Sequence, residues 1–330
     1  MGAASQSILR TSTTFLALGL GTALLAQPPG GRGGFGGPMP EGLRQAQQLL
    51  RQGKTEEALA AVRAQLAATP DSPQVNNAAG TLLDLMGHGA EARQAFQKLI
   101  DTATTPAAKA NAERAMAMSY AFEGDCRNTV KYEQRVFDYW VSQAAGEGSD
   151  PHNAFYQQGE MADEAARVCI DSGDLDTAHK YYKIGYEAGI KEPDISAGRK
   201  LLWEFRWEHA QARIAARRNN PSEARKHVAA AQAALEKMTT ADPGLANQQK
   251  QFLPYLTGYV AFYGGDYKTA LADFQQAGGN DPFIQCMLGE TYEKLGDKDK
   301  AMEAYRRAAA TTAHNPPAAY ARPFALKKLD

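Results

Sequence analysis

From Glu41 onward, apolar residues recur at three- and four-residue steps with charged and amide residues between them, the period of helices that bury one stripe. The rings Phe252, Tyr255, Tyr259, Phe262 and Tyr263 form one such stripe. Arg206, His209, Arg213 and Arg217 form another, polar instead of apolar. Between the periodic stretches stand turn signals: Gly124-Asp125, Gly173-Asp174, Asn219-Asn220-Pro221, Gly265-Asp266 and Gly296-Asp297. The pattern predicts an all-α chain of antiparallel helices joined by tight turns.

Two segments precede this array. Phe15–Ala26 is an apolar run behind the single charge of Arg10, and Gln27-Pro28-Pro29 breaks it. That is the layout of a secretory leader over residues 1–26, and the run is shorter than the ~20 residues that span a bilayer. No lasting membrane span is expected once it is removed. Residues 27–40 (QPPGGRGGFGGPMP) are rich in Gly and Pro and read as a disordered linker, since they bury too little to offset the entropy of ordering.

The helical part repeats. Gly258…Gly265-Asp266…Ala270…Phe274 is followed by Gly289…Gly296-Asp297…Ala301…Tyr305: a small residue, a turn, an alanine opening the second helix, and a ring four residues on. Upstream, Ala58 and Ala92 stand 34 residues apart, with Gly80 ahead of the latter. Looser matches run through Tyr120, Gly124-Asp125 and Thr129, then Ala178 with Tyr182, then Ala224. This resembles the tetratricopeptide repeat, a helix–turn–helix unit of about 34 residues. The resemblance implies a right-handed helical-hairpin solenoid over residues 41–312, of about seven units. Residues 313–330 would form a capping helix and tail over the last exposed face. The wider central spacings require longer helices or loops, as in Ala144–Asn153 and Thr239–Gln248.

Composition fits that picture. Hydrophobic residues make up 44% of the 330, yet mean hydropathy is −0.47, because much of the apolar share is alanine, the best helix former. The formal net charge of −1 gives no electrostatic case for a nucleic-acid partner. None of the six histidines stands at metal-ligand spacing from another donor, and no phosphate-cradling or nucleophile-elbow motif occurs. No cofactor, metal or catalytic residue is expected.

In a tetratricopeptide stack Cys126 opens the second helix of the third unit, and Cys169 lies near the end of the first helix of the fourth. The resemblance therefore sets them at one edge on adjacent layers, where an oxidising compartment allows a Cys126–Cys169 disulfide. The alternative is three buried thiols, which is the reading for Cys286 in either case.

The family often binds peptides along its concave face. That implies Arg206, His209, Arg213 and Arg217 beside Phe252, Tyr255, Tyr259, Phe262 and Tyr263 as a groove for a peptide or protein partner, guanidinium forks gripping carboxylates and rings holding apolar side chains. The same stripes would equally serve as inter-repeat packing or, for the arginines, as a solvated face paired with Glu204 and Glu208. The functional expectation is an exported, periplasmic or extracellular, non-enzymatic interaction scaffold of a bacterial envelope. An envelope hydrolase or transferase, and a purely architectural subunit, are the alternatives.

Overall fold

The computed structural model describes residues 39–146 and 150–330; the expected secretory leader and all of the Gly/Pro-rich stretch but Met39 and Pro40 lie outside the described residues. The described residues form helices and no strand. In chain order these are α1 (Glu41–Arg51), α2 (Thr55–Ala68), α3 (Pro73–Leu85), α4 (Gly89–Thr102), α5 (Pro106–Phe122), α6 (Cys126–Ala144), α7 (Pro151–Ser172) and α8 (Leu175–Gly189). They continue with α9 (Ala197–Arg217), α10 (Pro221–Ala241), α11 (Pro243–Gln249), α12 (Phe252–Tyr263), α13 (Tyr267–Gln276), α14 (Pro282–Leu295), α15 (Lys298–Ala309) and α16 (Pro316–Leu329). Consecutive helices pack in pairs and each pair packs on the next, so the chain is a helical-hairpin solenoid. No described helix is long and apolar enough to cross a membrane.

Local chemistry dictates the boundaries. Several helices open on a polar cap followed by proline: Ser72-Pro73, Thr105-Pro106, Asp150-Pro151, Asn220-Pro221, Asp281-Pro282 and Asn315-Pro316. The cap side chain accepts a backbone N–H that the first turn leaves free, and proline lacks the N–H that would have no partner. Asp125, Asp174, Asp266 and Asp297 cap the second helices of their hairpins in the same way. Every hairpin turn contains one residue of positive φ: Gly53, Gly87, Gly124, Gly173, Asn219, Gly265 and Gly296. Asparagine is the residue other than glycine that tolerates this conformation best, which is why Asn219 can close the fifth hairpin.

Within the hairpins one register holds throughout. A small residue (Ala46, Gly80, Ala117, Ala166, Ala212, Gly258, Gly289) is followed twelve places on by Ala58, Ala92, Thr129, Ala178, Ala224, Ala270 and Ala301. A larger residue follows four places later: Val62, Phe96, Glu133, Tyr182, Val228, Phe274 and Tyr305. Close approach explains it. A Cβ at Gly80 would lie 2.6 Å from the Phe96 ring and one at Gly258 would lie 2.9 Å from Phe274, and Gly289 abuts Tyr305 likewise. The irregular spacing between units comes from longer helices, α6, α7, α9 and α10, and from the short extra helix α11. Of the expected stretches, 144–153 includes residues 147–149, which lie outside the described residues, and 239–248 holds the end of α10 and most of α11.

The last helix does more than cap the end. α16 packs on α14 and α15, but also on α5 and α7, so it lies across the inner face of the array. Its Ala318 and Ala319 join the core formed by Leu82, Leu85 and Phe122 of the second and third hairpins. Arg322, buried, donates from Nε to the Leu85 carbonyl at 2.6 Å and from Nη1 to the carbonyls of Ala309 and, at 3.3 Å, Thr311. Just ahead of the helix, His314 Nε2 meets Asp84 Oδ2 at 2.8 Å, and Ser119 donates to the other oxygen of Asp84 at 2.7 Å. The chain thus closes on itself.

Candidate functional site

Because α16 crosses the inner face, the two predicted stripes do not line an open groove. Arg206, His209, Arg213, Tyr255, Tyr259 and Phe262 are buried, while Arg217, Phe252 and Tyr263 are half-buried. The stripes meet each other. Arg213 donates to the hydroxyls of Tyr255 at 3.1 Å and Tyr182 at 2.6 Å, Arg217 to that of Tyr263 at 3.3 Å, and His209 lies 3.2 Å from the Phe252 carbonyl. Burial, then the charges of Arg213 and Arg167, hold His209 well below the usual histidine range, so it is neutral and its Nε2–H donates. Arg206 does not pair with Glu204 or Glu208. It forms a buried ion pair with Glu160 of α7, donates to Tyr156 at 3.3 Å and lies 4.9 Å from the Trp203 ring centre. Glu208 turns to His227.

Trp203 itself is clamped between hairpins, against Gly159 of α7 and Gly189 at the end of α8. Trp207 is half-buried, its ring centre 5.7 Å from that of Tyr186.

One cavity that remains along the lumen holds about 270 Å³. Its wall is built by α5 (Arg114), α7 (Glu160, Asp163, Glu164, Arg167), α9 (Arg206, Arg213) and the segment His314–Pro317 that leads into α16. Arg114 holds Glu164, Nε to Oε2, at 2.9 Å. Asp163 borders the cavity but is ringed by protein, and burial pushes its carboxyl up to about 8, so it carries a proton at neutral pH. Asp171, one turn beyond Arg167, is raised to about 6 for the same reason.

Arg167 is the residue that the sequence patterns did not single out. It exposes 5% of its surface, and its Nε has no hydrogen-bond partner. Its guanidinium lies 4.9 Å from the Phe283 ring centre and 5.8 Å from that of Tyr255. A signal existed. Glu160, Asp163, Glu164, Arg167 and Asp171 form a charged stripe at helical spacing on a helix packed between α6 and α8, where little of its surface is left for water.

Cys126 of α6 and Cys169 of α7 form a disulfide with Cα atoms 4.8 Å apart, joining the third and fourth hairpins; Cys286 is a buried free thiol. Among the described residues no group of three or more His, Cys, Asp or Glu is placed to hold a metal.

A family model described as tetratricopeptide repeat matches residues 43–118 and 255–316. Among solved structures, the chain is similar to a tetratricopeptide repeat protein from Parabacteroides merdae, at 13% identity, covering 87% of this chain and 98% of that one with a TM-score of 0.41. It is also similar to the TPR domain of P58(IPK), at 13% identity over 88% of this chain and 97% of that one, with a TM-score of 0.23. No curated protein matches the chain.

Proposed function

Because this chain is a tetratricopeptide-repeat protein, we propose that it is a non-enzymatic interaction scaffold, exported in a bacterium and binding a protein or peptide partner on the periplasmic or extracellular side. Tetratricopeptide repeats mediate protein–protein contacts, and the repeat match at both ends of the array carries this reading. Export is supported by the apolar run Phe15–Ala26 behind Arg10, and by a Cys126–Cys169 disulfide that suits an oxidising compartment.

The partner docks at the rim of the inner face. α16 occupies its middle, whereas Arg217, Tyr263 and Phe252 still reach solvent and keep the guanidinium-and-ring chemistry of the two stripes. The test is co-purification from envelope extracts with the wild type and with Arg217→Glu, which reverses a half-buried charge. A reproducible partner lost in the variant supports the rim. Identical partner sets for both proteins remove the rim contact, and the absence of any partner for the wild type removes the scaffold reading. N-terminal sequencing of the mature chain tests export independently: a start at Met1 in cells would refute it.

A further inference from the structure

We propose that the lumen cavity is a binding site for a small organic monocarboxylate, gripped by Arg167 and Arg213 and closed at one end by the segment leading into α16.

Four observations carry this. The first is Arg167. Taking a guanidinium out of water is costly unless an anion or a full set of acceptors replaces the solvent. Among the described residues Arg167 makes no hydrogen bond and no ion pair, and its group borders the cavity. The flanking rings of Phe283 and Tyr255 hold the cation in place without neutralising it.

The second is the balance of charge on the wall. Arg114 is matched by Glu164 and Arg206 by Glu160. Asp163 is protonated at neutral pH and presents a donor instead of a repelling charge. That leaves Arg167 and Arg213 against Asp281, whose Oδ1 accepts the backbone N–H groups of Phe283 and Ile284. Asp171 acts on the same arginines from the adjoining cavity but pairs with neither. One anion would complete the wall.

The third is shape. About 270 Å³ lies just below the usual range for drug-sized ligands, ~300–1,000 Å³, so the space suits a small solute and not a helix or a folded partner. The fourth is the rest of the lining. Ala115, Met118, Phe205, Phe252 and Pro316 offer an apolar bed beside the two arginines, so the acid would carry an apolar body.

This inference goes beyond the scaffold reading and does not depend on it, since its test uses the purified full chain with no partner present. Calorimetric titration would compare benzoate, phenylacetate and 3-phenylpropionate with phenylacetamide, which keeps the shape of phenylacetate and lacks its charge, and with benzylamine. At least one of the acids is expected to bind saturably at one site per chain, with the amide about tenfold or more weaker and benzylamine not binding. Arg167→Gln should weaken the acid by about tenfold or more, and Ala115→Phe, which fills the cavity, should abolish binding. Failure of all three acids to saturate, equal binding of acid and amide by the wild type, or undiminished binding by folded Arg167→Gln would each overturn the proposal. The acid–amide comparison is made on the wild type, so it decides the matter even if a variant fails to fold.

Discussion

If α16 closes the array instead of merely ending it, Arg322→Ala should loosen two places that are far apart in the sequence. The guanidinium reaches the Leu85 carbonyl at 2.6 Å, a residue 237 positions earlier, and the carbonyl of Ala309 at the end of α15. Hydrogen bonds to a charged donor contribute roughly 1.5–3 kcal/mol each, and a buried carbonyl left without a donor costs about 1–3 kcal/mol. Part of that gain is offset by the desolvation of the arginine itself, so a net loss of about 3 kcal/mol is expected. For a chain of this size that corresponds to a fall in Tm of roughly 5 °C. A global melt is a blunt readout here, because most helix contacts of a hairpin are with its neighbours and the array can open in parts. Hydrogen exchange resolves the parts. Protection should drop both in α16 and at the end of α3 around Leu85, while α9 and α10 keep theirs. Arg322→Lys keeps the charge but cannot span two carbonyls from different elements, and should recover less than half of the loss. Faster exchange confined to α16, or a loss below about 1 kcal/mol, would refute the closure argument.

Four further outcomes follow from the packing. Thiol alkylation read by intact mass should find no reactive thiol in the native chain and one, Cys286, after denaturation without reductant; in the loop-entropy account the Cys126–Cys169 bridge contributes about 4 kcal/mol, which reduction should remove. Glu133 sits where the other hairpins carry a ring or a valine, with both carboxyl oxygens buried and without a partner, and burial raises it well above the usual carboxylate range. Glu133→Leu should therefore stabilise by about 1–3 kcal/mol in chemical denaturation, and a destabilised variant would show that the carboxyl has a role the packing does not reveal. Asp163 and Glu133 keep protons in the folded chain that the unfolded chain releases near pH 4; the folded state then binds more protons between about 4 and 8, so stability falls as pH rises across that window, and Asp163→Asn should flatten the slope. Gly159→Ala pushes a methyl into Trp203 and should cost about 1–3 kcal/mol in chemical denaturation, partly restored by Trp203→Phe; an unchanged midpoint would mean that the indole has room to move.

The hairpin is legible in the sequence because it rests on local chemistry. A capping side chain, a proline at the first turn and a residue able to take positive φ act within a few positions of one another, and Gly80 with Phe96 or Gly289 with Tyr305 sets the crossing distance inside a single unit. Departures from the 34-residue spacing are equally local in origin. An α7 of 22 residues and an α9 of 21 displace the next unit without disturbing the register inside either hairpin.

The inner face is a different kind of problem. A row such as Arg206, His209, Arg213 and Arg217 has the same spacing whether it meets water, a peptide or another helix of the same chain. What decides is the complement, and the complement is nonlocal. Glu160 answers Arg206 from 46 positions away, Tyr255 answers Arg213 from 42, and α16 arrives from the end of the chain to shut the space in front of them. Opposed charged stripes on α7 and α9 are the one trace of this arrangement in the sequence, since a helix packed on both sides can keep carboxylates and guanidinium groups only if they find each other. Most of them do. Arg167 does not, and in an interior where Arg114 and Arg206 each have a carboxylate in reach, a guanidinium with only rings for company marks the place where the protein's own residues leave the account of charge incomplete.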